Sequence, residues 1–214
     1  MANQKSLYDL MSSLSAKAPD MQGGGLSSAH GQVDIRSAQI VKLAATLAEY
    51  LSSTCGMKPA DTLTIVSSNS PEMAVVFLAS TFCRAIAAPI SKSVREEGYS
   101  AALSEAGTKL LILLSKENQC FAVTAAEKLG SPTLVVQVDK ELHLTCCHQE
   151  GPEATLSERT TLHDPPQPND VAHLLHTSGT TSRPKGVPLR HKNLAAGIDN
   201  VVNTYALGPR PGPK

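Results

Sequence analysis

Short runs of aliphatic and β-branched residues recur along this chain, and between them lie segments whose apolar residues repeat at helical period. Thr62 to Val66, Ala85 to Ile90, Leu110 to Leu114, Leu134 to Val138 and Val171 to Leu175 have the length and composition of buried strands. The intervening segments predict helices over Ser6 to Ala16, Ser37 to Thr54, Ser70 to about Arg84, Val94 to Ala106 and Asn118 to Leu129. Strands separated by helices of this length predict an α/β fold with a parallel sheet covered on both faces. No internal repeat suggests a solenoid.

Local signals set several of the boundaries. In the second helix Ile40, Leu43, Ala44, Leu47, Ala48 and Leu51 form one apolar stripe, and Gly56 supplies a stop. Ser70-Pro71-Glu72 opens the third helix with a capping hydroxyl, a proline at the first helical position and an acid near the positive end. Met21 to Gly31, with Gly23-Gly24-Gly25 and several serines, reads as a flexible loop. Gln149 to Asn169 turns polar and holds Pro152, Pro165, Pro166 and Pro168, the mark of an exposed connection.

Composition narrows the function classes. Of the 214 residues, 41% are hydrophobic and 18% charged, enough to bury a core. Lys and Arg total 19, as do Asp and Glu, so no net field recommends nucleic acid or an acidic membrane as partner. Phosphate binding must therefore be local. The longest apolar run, Met73 to Ala79, is far below the roughly 20 residues of a membrane span. The odd cysteine count and a polar start, MANQKSLYDLMSS, lead to the expectation of a reducing, cytosolic setting. Gly212-Pro213-Lys214 is not a peroxisomal address.

The last strand runs directly into His176-Thr177-Ser178-Gly179-Thr180-Thr181-Ser182-Arg183-Pro184-Lys185-Gly186-Val187. Ligands in open α/β sheets gather beyond the carboxyl ends of strands. Hydroxyls and backbone amides can surround polyphosphate oxygens, and Gly179 permits close approach. Lys185 adds positive charge, Pro184 stiffens the return, and Gly186 permits an unusual backbone angle before Val187 resumes an extended path. An ordinary Ser/Thr-rich surface loop is the commoner fate of such composition, but here a lysine and glycines accompany it. It is not a Walker loop, because Gly186 rather than Ser or Thr follows Lys185.

This segment resembles the signature loop of the adenylate-forming superfamily of acyl-CoA synthetases, luciferases and peptide-synthetase adenylation domains. Leu175 through Leu189 is most similar to the oxalate-CoA ligase branch of plants and fungi, near the 4-coumarate-CoA ligases. Lys58 to Ala79 and Ala87-Ala88-Pro89-Ile90 resemble the family's early strand-helix-strand region, so the likeness runs from about Val33 to Leu207. It implies ATP, with Mg2+, and a small carboxylic acid as reactants giving an acyl-adenylate, then coenzyme A displacing AMP. Carried over, Thr177, Ser178, Gly179, Thr180, Thr181 and Lys185 hold the β and γ phosphates, with Gly186 alongside. Ser182 stands where the family usually has glycine; a further ligand and a loop-stiffening change are both open readings.

The resemblance also implies that residues 1–207 are the front part of the synthetase domain. The acid pocket, the adenine and ribose motifs and the C-terminal lysine of a complete member do not appear. Residues 208–214 are unlike the family and read as a disordered tail. The expectation is a chain with no complete catalytic set, or else a non-catalytic product that binds phosphate or a partner. Exposed sheet edges would favour self-association, and oligomeric state stays open.

Other conspicuous residues have bland readings. His143, Cys146, Cys147 and His148 match no zinc spacing, and on a strand Cys146 and Cys147 point to opposite faces, so no metal is expected there. His173 and His176 also face opposite ways on a strand. For His176, nucleotide contact and packing both stay open. Arg183 is left without a role, and Arg190-His191-Lys192 is expected to begin the helix after the loop.

Overall fold

The computed structural model describes residues 4–17, 25–27, 34–92, 94, 96–114, 120–148, 151–177 and 185–204. In chain order the elements are α1 (Leu7–Lys17), β1 (Gly25–Ser27), β2 (Asp34–Arg36), α2 (Ser37–Ser53), β3 (Thr62–Ser67), α3 (Pro71–Phe82), β4 (Ile86–Ser91) and α4 (Glu96–Ala106). They continue with β5 (Thr108–Leu113), α5 (Cys120–Lys128), β6 (Thr133–Val138), β7 (Leu144–His148), β8 (Ala154–Thr155), β9 (Val171–Thr177), β10 (Lys185–Arg190) and α6 (His191–Thr204).

β3 lies inside an eight-stranded sheet of order β10-β9-β4-β3-β5-β6-β7-β8. Its alternation sends Leu63 and Ile65 into one core and Val66 into another. The first core lies under α1, α2 and α3, where Leu47, Leu51, Val75 and Phe82 are fully buried. The second lies under α4 and α5, with Tyr99, Leu103, Ala122 and Ala126. Helices therefore cover both faces, as the alternation predicts.

The sheet is mixed, not parallel throughout. β9, β4, β3, β5 and β6 run parallel, whereas β10, β7 and β8 are antiparallel to their neighbours. Helical crossovers join β3 to β4, β4 to β5 and β5 to β6, but β6 to β7 is a tight turn. It is closed by the His143 amide donating to Asp139 Oδ1 at 2.8 Å and by Leu142 at φ 66°. A short turn can join only antiparallel neighbours. The expected loop at Met21 to Gly31 is also corrected in part: Gly25–Ser27 pairs with Asp34–Arg36. Cys146 and Cys147 enter opposite cores, as the strand reading requires.

The other punctuation holds. Ser70 Oγ accepts from the Met73 amide at 3.2 Å, with Pro71 as the first helical residue. Gly56 has φ +68°, the left-handed angle that ends α2. The polar connection is pinned to α2, since Thr46 Oγ1 accepts from the Arg159 amide at 2.8 Å and lies 3.3 Å from its carbonyl. Asn118 and the tail 208–214 lie outside the described residues. Among the described residues no helix is long and apolar enough to cross a membrane.

Candidate phosphate-loop site

β9 and β10 form a hairpin in which Thr177 faces Lys185, His176 faces Gly186 and Leu175 faces Val187. Residues 178–184 join these paired ends. Ser178, Gly179, Thr180, Thr181, Ser182, Arg183 and Pro184 lie outside the described residues, and Thr177 and Lys185 are described in backbone only. The hairpin nevertheless fixes where the segment emerges: at the carboxyl end of β9, a strand parallel to β4. Among the described residues β4 and β9 are paired at Ala87 and His173.

The same end of the sheet carries a crevice. β3 leads into α3 on one face and β4 into α4 on the other, and a cleft lies beyond the carboxyl ends of these two strands. It measures about 320 Å³, lined by Ser67, Ser68 and Asn69 on one side and Ser91 and Lys92 on the other, over Met73 and Pro89. The start of α3 opens at its rim and contributes the positive end of a helix dipole. Sequence reasoning missed this cleft. The Ser70-Pro71 helix start was visible, but the pairing of β3 with β4 was not.

His176, last before Thr177, has both ring nitrogens buried, with no hydrogen-bond partner among the described residues. An unsatisfied buried polar group costs about 1–3 kcal/mol, so these atoms suit a site completed by a ligand. His173, on the opposite side of β9, is satisfied: its Nδ1 lies 2.9 Å from the Ala87 carbonyl and its ring packs edge-on against Phe77. Burial, first of all, holds its pKa below the ordinary value.

Gly186 does not use its conformational freedom. Its backbone is that of a regular strand, outside the left-handed region. A Cβ there would sit 3.0 Å from Leu174 Cδ1, so the residue provides space beside Leu174, not an unusual angle. Among the described residues, Asp139, Glu141 and His143 bring potential metal-ligand atoms within 4.8 Å of one another. All three are exposed, and Asp139 and His143 are already engaged in closing the β6–β7 turn.

Residues 32–211 match the AMP-binding enzyme family over most of the chain. The chain belongs to that family. Among relatives, oxalate-CoA ligase of Arabidopsis thaliana is 33% identical over 204 residues, 94% of this chain and 38% of that protein. Probable CoA ligase CCL9 of Humulus lupulus is 33% identical over 212 residues, 97% of this chain and 38% of that protein. The chain thus spans about 38% of the length of these relatives. Apo MatB from Rhodopseudomonas palustris shares the fold, with a TM-score of 0.73 at 21% identity, covering 94% of this chain and 38% of that one.

Proposed function

We propose that this chain is the N-terminal portion of an ATP-dependent carboxylate-CoA ligase, acting in a cytosolic setting. The enzyme forms an acyl-adenylate and then a thioester with coenzyme A. The observation that carries the reading is the β9–β10 hairpin, whose facing ends Thr177 and Lys185 lie at the carboxyl end of β9, a strand parallel to β4. The oxalate-CoA ligase likeness makes a small dicarboxylate such as oxalate the first acid to test.

In this reading Thr177, Ser178, Gly179, Thr180, Thr181, Ser182 and Lys185 hold the β and γ phosphates, with Gly186 alongside. As a carboxylate attacks the α-phosphorus, charge builds on the departing pyrophosphate, and donors aimed at those oxygens lower the barrier. No side chain of this chain acts as a nucleophile. Magnesium suits the hydroxyl and phosphate oxygens of such a site, as a hard cation that prefers oxygen donors. His176 is placed to give its buried nitrogens a partner when nucleotide is bound.

The test is calorimetric titration of the 214-residue chain with ATP and with pyrophosphate. Weak binding is expected, and Lys185→Ala should weaken it about tenfold or more through loss of a charge-assisted contact. Unchanged binding in the variant would refute the assignment. Because the chain spans 38% of its relatives, no acyl-CoA should form when it is given ATP, oxalate and coenzyme A. A chain that binds phosphate without turnover is the second reading, and turnover would exclude it.

A further inference from the structure

The hairpin that presents the phosphate loop has a slender hold on the sheet. β3 and β4 are paired from Thr62–Ile86 through Ser67–Ser91, whereas among the described residues β4 and β9 are paired at Ala87 and His173 alone. Backbone bonds close the hairpin at its base. The carbonyl of Asp170, just before β9, accepts from the amide of His191, just after β10, at 3.0 Å. The Lys192 amide donates to the Pro168 carbonyl at the same distance.

His191 is wholly buried. Its Nδ1 accepts a hydrogen bond of 3.2 Å from the amide of Leu7, the first residue of α1. The first amides of a helix have no partner within it. Ser6 and Asp9 cap one another, with the Asp9 amide donating to Ser6 Oγ and the Ser6 amide to Asp9 Oδ2. The Leu7 amide is satisfied from the other end of the chain. A neutral imidazole can do this with its proton on Nε2, a buried atom, with the Thr81 backbone as the ring's other hydrogen-bonding neighbour. An imidazolium has no acceptor, and it would place a cation at the positive end of α1.

We infer that His191 is the positioning residue of the phosphate-loop hairpin: its neutral imidazole joins α1 to the hairpin base, and taking up a proton releases that joint. The inference rests on the phosphate-binding reading for its consequence, but the joint itself is independent of it. The charged groups facing the imidazole are Asp9 from α1, Asp170 from the segment entering β9 and Arg84 from the turn after α3, with the Thr81 backbone nearby. Burial dominates and pushes the pKa down to about 4, Arg84 adding to it while Asp170, the Thr81 backbone and Asp9 oppose it.

The experiment is amide hydrogen exchange on the 214-residue chain at pH 7 and pH 5, corrected for intrinsic rates, alongside ATP titration at both values. In the wild type, protection at Leu7 and through β9, β10 and α6 should fall about twentyfold on acidification, the proton linkage of an imidazole moved from 6.5 to about 4. His191→Asn keeps an acceptor near the Nδ1 position but does not titrate, so its protection should be the same at both pH values. His191→Leu should lose protection at Leu7 at both. A flat wild-type response, a decline that persists in His191→Asn, where His173 still titrates, or full protection in His191→Leu would each overturn the inference. If the wild type binds no ATP at either pH, the phosphate-binding reading fails while the exchange data still decide the joint. If it binds, its affinity should fall with acid in parallel with protection, and that of His191→Asn should not; parallel loss in both overturns the positioning role.

Discussion

Arg84 holds two carboxylates that look equivalent on paper and are not. Its Nε donates to Asp170 at 2.9 Å, and its Nη1 reaches both oxygens of Asp164, at 3.1 and 2.9 Å. The Asp170 side chain is 23% exposed and that of Asp164 is 58%. Asp170 Oδ2 also accepts from the Gln167 amide at 2.9 Å. Burial raises its carboxyl pKa, but the Gln167 amide and Arg84 outweigh this and hold it below the ordinary value. An exposed ion pair contributes about 0–1 kcal/mol, whereas a partly buried carboxylate with charge-assisted bonds to a guanidinium and an amide is worth about 2 kcal/mol. Asp170→Ala should therefore lower the unfolding free energy by about 2 kcal/mol, a Tm shift of roughly 4–8 °C for a chain of this size. Asp164→Ala should cost under about 0.5 kcal/mol and become silent in 0.5 M salt. Urea unfolding of both variants at pH 7 decides between them. An Asp164→Ala loss equal to or larger than that of Asp170→Ala would refute the argument that burial and the Gln167 amide set the difference.

Stability should also follow acid through His191. Its folded pKa, about 4, lies below the ordinary 6.5, so the unfolded chain binds the extra proton. The contribution is complete above about pH 6.5 and is lost as pH falls toward 4, an amount of about 3 kcal/mol; urea midpoints across this range should show the slope, and His191→Asn should remove most of it. Gly56→Ala forces a Cβ into φ +68° with nothing within 4 Å of it. It should cost about 1 kcal/mol from backbone strain alone, and a neutral result in thermal melts would count against that account. Burial pushes Cys83 and Cys146 up to about 12 and Cys55 to about 11. Iodoacetamide at pH 8 should leave all three unmodified in the native chain and label them in urea, which peptide mass mapping reads directly.

Short-range chemistry was legible in the residues. The stripe of α2, the Gly56 stop, the Ser70-Pro71 start of α3 and the opposed faces of Cys146 and Cys147 all depend on neighbours a few positions apart. The antiparallel margins were less visible. The β7 strand, Leu-Thr-Cys-Cys-His, lacks the β-branched run that marks β3, and its identity comes from the Asp139–His143 turn that folds it onto β6. Contacts between distant residues were not legible at all. Arg84 meets Asp164 and Asp170 across 80 and 86 positions, and Leu7 meets His191 across 184. Of the candidate site, the loop's chemistry was written in its hydroxyls and Lys185, while the cleft beside β3 and β4 required knowing which strands are neighbours.

The sheet's two margins bear on how this chain behaves at high concentration. One margin is β10, where Pro188 carries no amide hydrogen, and the other is β8, only two residues long. Neither offers the continuous ladder of donors and acceptors that a strand from another molecule would need, and such blunted edges resist fibril-like stacking. Leu175 and Val187, paired across β9 and β10, are instead exposed as apolar side chains at 43% and 39%. Self-association of this protein should therefore proceed face to face through those side chains. It should weaken on cooling and respond little to salt, giving amorphous or reversible clusters in place of ordered fibres.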